Sequence, residues 1–238
     1  MTYPEDCLQQ IIDDPEGWWI PHGESRAVKG SLIHAFIPHV DQLPYTFTMK
    51  GRTQPTVHDK ADIVVAPLKV DQPLKQLVLP VAAMPLNKGE VWGAYRAKRR
   101  PCLVIKGPAA AVDPALTRGM PKSSSAPTML VAPYYGVDRD GSRAGFSPSF
   151  VERIKRCEYP QFVWDRLPIT GATDASILRL DQLQPIGAHR HSFKVLPFKM
   201  GEDAFRVIED LLQWLIFERL PKGSDIPAFQ DLMKERCK

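Results

Sequence analysis

The sequence predicts a mainly β protein that ends in one α-helix, and three observations carry that reading. Prolines number 23 in 238 residues and cut the chain into short extended segments, because proline removes a backbone donor and breaks helices. Between them lie short β-branched, aromatic or alternating apolar runs, the pattern of strands. The one sustained helical period falls at 202–220, where Ala204, Val207, Ile208, Leu211, Leu212, Leu215 and Ile216 share a face.

Taken in order, Trp18-Trp19 follows Pro15-Glu16-Gly17; paired indoles cap a small core or stack on bases. Leu32–Ile37, Tyr45–Met49, Asp62–Ala66 and Gln76–Leu79 read as four strands. The turn-rich Pro85–Gly89 marks a boundary, so residues 1–86 are expected to form a β-rich N-terminal extension. Beyond it, Glu90–Tyr95, Pro101–Ile105, Thr128–Pro133, Gln161–Trp164 and Ser176–Leu180 read as successive strands. Gly107–Ala126, rich in Pro, Ala and Ser, suits a mobile flap. Ser147-Pro148 supplies an N-cap and a first-turn proline for a short helix through Phe150, Val151 and Ile154. The final helix begins with Glu202 and Asp203, carries Arg219 in its last turn and is stopped by Pro221 and Gly223. Phe205, Trp214 and Phe217 widen its apolar face, so it is expected to meet a second surface, the extension or another subunit. Residues 221–238 are left as a tail.

With 44% hydrophobic and 24% charged residues the composition is that of a globular chain. The net charge of +4 divides unevenly: residues 1–86 carry 7 Lys+Arg against 10 Asp+Glu, and residues 87–238 carry 24 against 17. A basic second part fits a polyanion, or simply a solvated surface. Apolar runs are shorter than the roughly 20 residues of a membrane span, and the acidic start Met1–Asp6 lacks a secretory pattern. A cytoplasmic location without membrane contact is expected. Cys7, Cys102, Cys157 and Cys237 form no C-x-x-C pair and read as reduced thiols, with Cys102 in the core. His189 and His191 make an H-x-H, which ligates a metal only with a third ligand and is otherwise a solvated loop beside Arg190. No metal and no cofactor are expected. Walker-type, dinucleotide-binding, zinc-protease and nucleophile-elbow motifs are absent from the sequence.

Three segments occur in order: Lys88-Gly89-Glu90-Val91-Trp92, then Arg99-Arg100-Pro101-Cys102-Leu103-Val104-Ile105, then Ile177-Leu178-Arg179-Leu180-Asp181-Gln182-Leu183. Together they resemble the PemK/MazF family of toxins from toxin-antitoxin systems. There a G-[DE]-[IV]-[VW]-W strand opens an SH3-like barrel, R-P-x-[LV]-[IV]-[IV] and V-x-P strands follow, and a strand ending in D-Q precedes a C-terminal helix. Val131-Ala132-Pro133 takes the third place here and the helix from Glu202 the last. The resemblance covers about residues 87–220. It implies an SH3-like β-barrel, preceded here by the extension, that forms a homodimer, pairs with an antitoxin and cleaves single-stranded RNA without metal, through attack of the ribose 2′-OH on its own phosphate.

In the Kid branch of that family an R-x-D-Q segment carries the catalytic Arg and Asp, and Arg179-Leu180-Asp181-Gln182 matches it. Asp181 is then the general base and Arg179 the phosphate clamp, with Arg100, matching the family's Arg before Pro, as a second cation. On a strand, residues i and i+2 face the same way, so Arg179 and Asp181 would share a face; they also have the option of simply pairing there. Lys98, Arg99, Tyr134 and Tyr135 are the RNA-binding candidates, the tyrosines by stacking on bases or else as rim packing. The chain departs from the family where Tyr134-Tyr135-Gly136 replaces hydroxyl residues, where Arg96-Ala97-Lys98 lacks a His, and where 107–126 and 137–160 are long. A barrel that binds nucleic acid or protein without cleaving is therefore the alternative. A third reading makes the acidic extension a cover for the basic groove.

Overall fold

A computed structural model describes residues 3–12, 15–23, 25–52, 54, 56–57, 62–71, 89–110, 112–119, 127–138, 145–169 and 175–236. Its strands are β1 (Trp19–Pro21), β2 (Ser31–Pro38), β3 (Tyr45–Gly51), β4 (Asp62–Pro67), β5 (Gly93–Ala94), β6 (Ala97–Lys106), β7 (Thr128–Gly136), β8 (Phe162–Arg166), β9 (Ala175–Arg179), β10 (Gln184–Gly187) and β11 (Phe193–Met200). The helices are α1 (Pro114–Thr117), α2 (Pro148–Lys155), α3 (Glu202–Phe217) and α4 (Ile226–Arg236). The chain divides into two compact units, Met1–Phe36 with Arg99–Lys238, and Ile37–Lys98. No described helix is long and apolar enough to cross a membrane.

The larger unit is mainly β, as expected. It is built on a curled antiparallel sheet ordered β1-β11-β2-β6-β7-β9-β8. β7 turns the curl: Thr128–Val131 pairs with β10, and Tyr134–Gly136 pairs with β9. The run 90–95, expected as the strand preceding β6, is not its neighbour in the sheet; β2 is. Leu32, Ile33 and Ala35 are all buried, so both sides of β2 are apolar, as an interior strand requires. Of 90–95 only Gly93 and Ala94 are in a strand, paired with β3 in the smaller unit, where Trp92 stacks on Phe47 at 5.9 Å. That unit holds a three-stranded sheet, β4-β3-β5. The expected boundary near residue 86 and the strand Gln76–Leu79 lie outside the described residues. Residues from 3 to 36, read as part of a separate extension, supply β1 and most of β2 to the main sheet.

The C-terminal helix forms where the period places it, from Glu202 to Phe217, with Ala204, Phe205, Val207, Ile208, Leu211 and Leu212 buried. Burying five or six such side chains, each worth about 1.5–3 kcal/mol, is what holds an amphipathic helix to a sheet. Phe217 stays exposed. Gly201 caps the helix start, and a Cβ there would lie 2.1 Å from the Gly17 carbonyl oxygen. The tail reading is corrected: 226–236 is a helix whose Ile226, Phe229 and Met233, spaced three and four apart, are buried. Gln230 Nε2 donates to the Cys157 carbonyl at 2.6 Å. The helix after Ser147-Pro148 spans Pro148–Lys155 as expected. In the proposed flap the described part contains one helical turn, Pro114–Thr117, capped by Asp113. Burial raises the thiols of Cys7, Cys102 and Cys157, the last two to about 12.

Asp165 on β8 is fully buried and ties the N-terminal segment to the sheet. Its Oδ1 accepts from Tyr3 Oη at 2.9 Å, its Oδ2 accepts from Tyr134 Oη at 3.0 Å, and Trp19 Nε1 donates to it at 3.2 Å. Burial raises its carboxyl to about 7 although these donors favour the charged form.

Two outcomes follow from this packing. The folded state holds the Asp165 proton up to about pH 7, whereas an unfolded Asp loses it near 3.9. Its contribution to stability is therefore present below about pH 4, declines as pH rises to about 7 and is constant above that. Thermal melts across this range will show that component in the wild type and not in Asp165→Asn, while Asp165→Ala, which orphans the buried donors of Tyr134 and Trp19 and leaves Tyr3 only the Arg166 carbonyl, will cost about 3 kcal/mol or more. Gly201→Ala will lower the melting temperature, because the new methyl meets backbone and has no flexible side chain to displace.

Candidate functional site

The expected catalytic residues meet at one end of β6, β7 and β9. Cys102 pairs with Pro133, Tyr135 with Ile177, and Arg179 with Phe162 across the three ladders. Alternation then places Arg100, Tyr135, Arg179 and Phe162 on one face of the sheet. The side chains meet as that register requires. The Arg100 guanidinium carbon lies 3.7 Å from the centroid of the Tyr135 ring, and that of Arg179 lies 5.6 Å from the same ring and 5.0 Å from the Phe162 ring. Two cations thus share one aromatic ring, an arrangement worth about 0.5–2 kcal/mol per contact.

Arg179 also forks onto Asp181, Nε donating to Oδ1 at 2.7 Å and Nη2 to Oδ2 at 2.5 Å. The sequence put both residues on one strand. β9 instead ends at Arg179, and Leu180–Gln182 form a 3₁₀ turn. It is this turn, with Leu180 buried at its start, that folds the carboxylate back onto the guanidinium. The Arg179 and Asp181 side chains are 20% and 32% exposed, so the pair is open to a ligand. Tyr135 Oη donates to Gln182 Oε1, which fixes the ring between the cations. Gln182 and Phe162 therefore belong to the cluster. Phe162 was missed, and its signal was the hairpin register that sets it opposite Arg179.

The other candidates separate. Tyr134 is 2% exposed, with its hydroxyl on Asp165, so the base-stacking expectation is corrected for it: strand alternation sends Tyr134 into the core and Tyr135 out. Arg99 is exposed and, one residue from Arg100, lies on the opposite face of β6. Lys98 is exposed and falls in the smaller unit. His191 Nε2 accepts from Arg190 Nε at 3.0 Å, and a His189 ring nitrogen meets Ser192 Oγ at 2.7 Å. Among the described residues no group of three or more His, Cys, Asp or Glu is placed to hold a metal ion.

No family model, no curated protein and no solved structure matches this chain.

The shared ring makes a stability prediction. A double-mutant cycle pairing Arg100→Met with Tyr135→Leu, read by denaturant unfolding, will give a coupling energy of about 0.5–1 kcal/mol. A coupling of zero would show that the stack contributes nothing in solution.

Proposed function

We propose that this chain binds single-stranded RNA at the Arg100–Tyr135–Arg179–Asp181 cluster and cleaves it as a metal-independent endoribonuclease of toxin-antitoxin type. The observation that carries the reading is the convergence of two guanidiniums and one carboxylate, drawn from separate strands and a turn, around a single tyrosine ring. The resemblance of 87–220 to the PemK/MazF barrel adds to it, and extends the proposal to a PemK/MazF-like variant of the curled sheet, a homodimer and an antitoxin partner.

In this reaction Asp181 takes the proton from the ribose 2′-OH. The 2′ oxygen attacks the adjacent phosphorus and the bond from phosphorus to the 5′ oxygen breaks. The products are a 2′,3′-cyclic phosphate and a 5′ hydroxyl, whose proton comes from solvent. Arg179 and Arg100 donate to the non-bridging oxygens as charge grows on them, and being always protonated they do so at every working pH. The Arg179 fork uses only one lone pair of each Asp181 oxygen, so the carboxylate retains acceptor capacity for a hydroxyl. The alternative, a binding surface without cleavage, is favoured by the same fork, because both oxygens of the intended base are already hydrogen-bonded to Arg179.

Incubation of purified protein with a fluorescent single-stranded RNA in excess chelator distinguishes the two. Cleavage leaving cyclic-phosphate ends, reduced about 10²–10⁴-fold by Asp181→Asn and by Arg179→Ala, is the expected result. Intact RNA that is nevertheless bound establishes the binding surface, and RNA neither bound nor cut removes both readings.

A further inference from the structure

β2 leaves the core unevenly. On the face shared by Leu32, His34 and Phe36, Leu32 is buried in the cluster that holds Ile208 and Leu211 of α3, His34 is half-buried and Phe36 is 67% exposed. An exposed phenylalanine on an otherwise buried central strand lacks a folding role. The strands on both sides of β2 carry a cation on this face. Lys194 of β11 pairs directly with His34. Arg99 of β6 lies on the same face, since Leu103, four residues on, is in that core cluster. The His34 imidazole between them is held below its ordinary value by burial and then by the charges of Arg99 and Lys194. Among the described residues neither Arg99 nor Lys194 has an ion-pair partner.

We propose that Phe36, His34, Arg99 and Lys194 form a second binding patch for single-stranded RNA, on the face of the sheet opposite Arg100, which holds nucleotides beyond those at the cleavage cluster. It rests on the RNA reading above. The chemistry is that of single-strand recognition: an aromatic face that accepts any base, flanked by cations spaced along neighbouring strands to meet phosphates. The charge is complementary to a polyanion. The exposed ring argues for unpaired bases over an acidic peptide, which has no flat partner to offer it.

The probe is a labelled 2′-O-methyl oligoribonucleotide of about twelve residues, which lacks the attacking hydroxyl and so reports binding alone, by fluorescence anisotropy. Phe36→Ala is expected to weaken binding about fivefold or more, in line with the loss of one stacked base, and Phe36→Tyr to restore it. The double variant Arg99→Ala/Lys194→Ala is expected to lower the slope of log affinity against log salt by about 1.4, two phosphate contacts at about 0.7 each. Circular dichroism checks that the fold is kept, as the exposure of all three positions implies. Unchanged affinity and slope would overturn the patch. A polyglutamate peptide bound as tightly as the oligonucleotide and indifferent to Phe36→Ala would overturn it too, in favour of an acidic peptide partner. The two proposals fail separately: affinity loss in these variants with unmodified RNA left intact keeps the patch and removes the nuclease, and cleavage with unaltered affinity does the reverse. A wild type that binds no RNA removes both.

Discussion

The carboxylate of Asp165 is the interaction on which the rest of the larger unit depends. It is enclosed by side chains from three distant parts of the chain, Tyr3 at the beginning, Trp19 on β1 and Tyr134 on β7, each presenting a donor. A buried acid with such partners is a poor source of net stability but a strict one of geometry, because any other packing would leave donors unmet in a low dielectric. The N-terminal residues are thereby part of the sheet's core. Cys7 and Leu8 are buried beside the same sheet, and Gln9 Nε2 reaches the Trp164 carbonyl at 2.6 Å.

The same interaction sets the candidate site. Tyr134 is held inward by Asp165, and with the two-residue repeat of a strand its neighbour Tyr135 has to face the other way, between Arg100 and Arg179. Core and site are thus two readings of one dipeptide. The adjacent arginines of β6 follow the same rule: Arg100 goes to Tyr135, and Arg99 goes to the face of His34 and Lys194. A shift of one residue in the β6–β7 register would exchange these roles and send Tyr134's hydroxyl into solvent.

Much of this was legible in the sequence and some of it was not, for definite reasons. The helix at 202–217 and the strands around Val104, Val131 and Ile177 were readable because periodicity and β-branched runs are local signals. The Arg179–Asp181 pair was readable as a pair, yet its mechanism was a turn, since the strand's end depends on where β8 stops pairing. The place of β2 beside β6 was not readable: it is a choice between two apolar runs of similar quality, and only the packing of both faces of Leu32–Ala35 decides it. Asp165 carries no local signal of its role, because nothing in 161–166 announces a tyrosine at position 3. The final helix was missed because 11 residues with Pro227 at the second place and a weak apolar stripe carry little signal without the sheet they cover.

The departure of the chain between β2 and β6 has an entropic cost. These two strands are neighbours in the sheet, yet roughly sixty residues separate them, and His39 N–H donates to the Arg96 carbonyl at 2.8 Å where the excursion starts and finishes. Closing a loop of that length in place of a hairpin of about four residues adds about 2 kcal/mol of chain entropy. The pairing at the centre of the sheet is consequently long-range and costly to close, and the mouth closed by His39 and Arg96 is the natural joint at which to graft, shorten or remove the excursion.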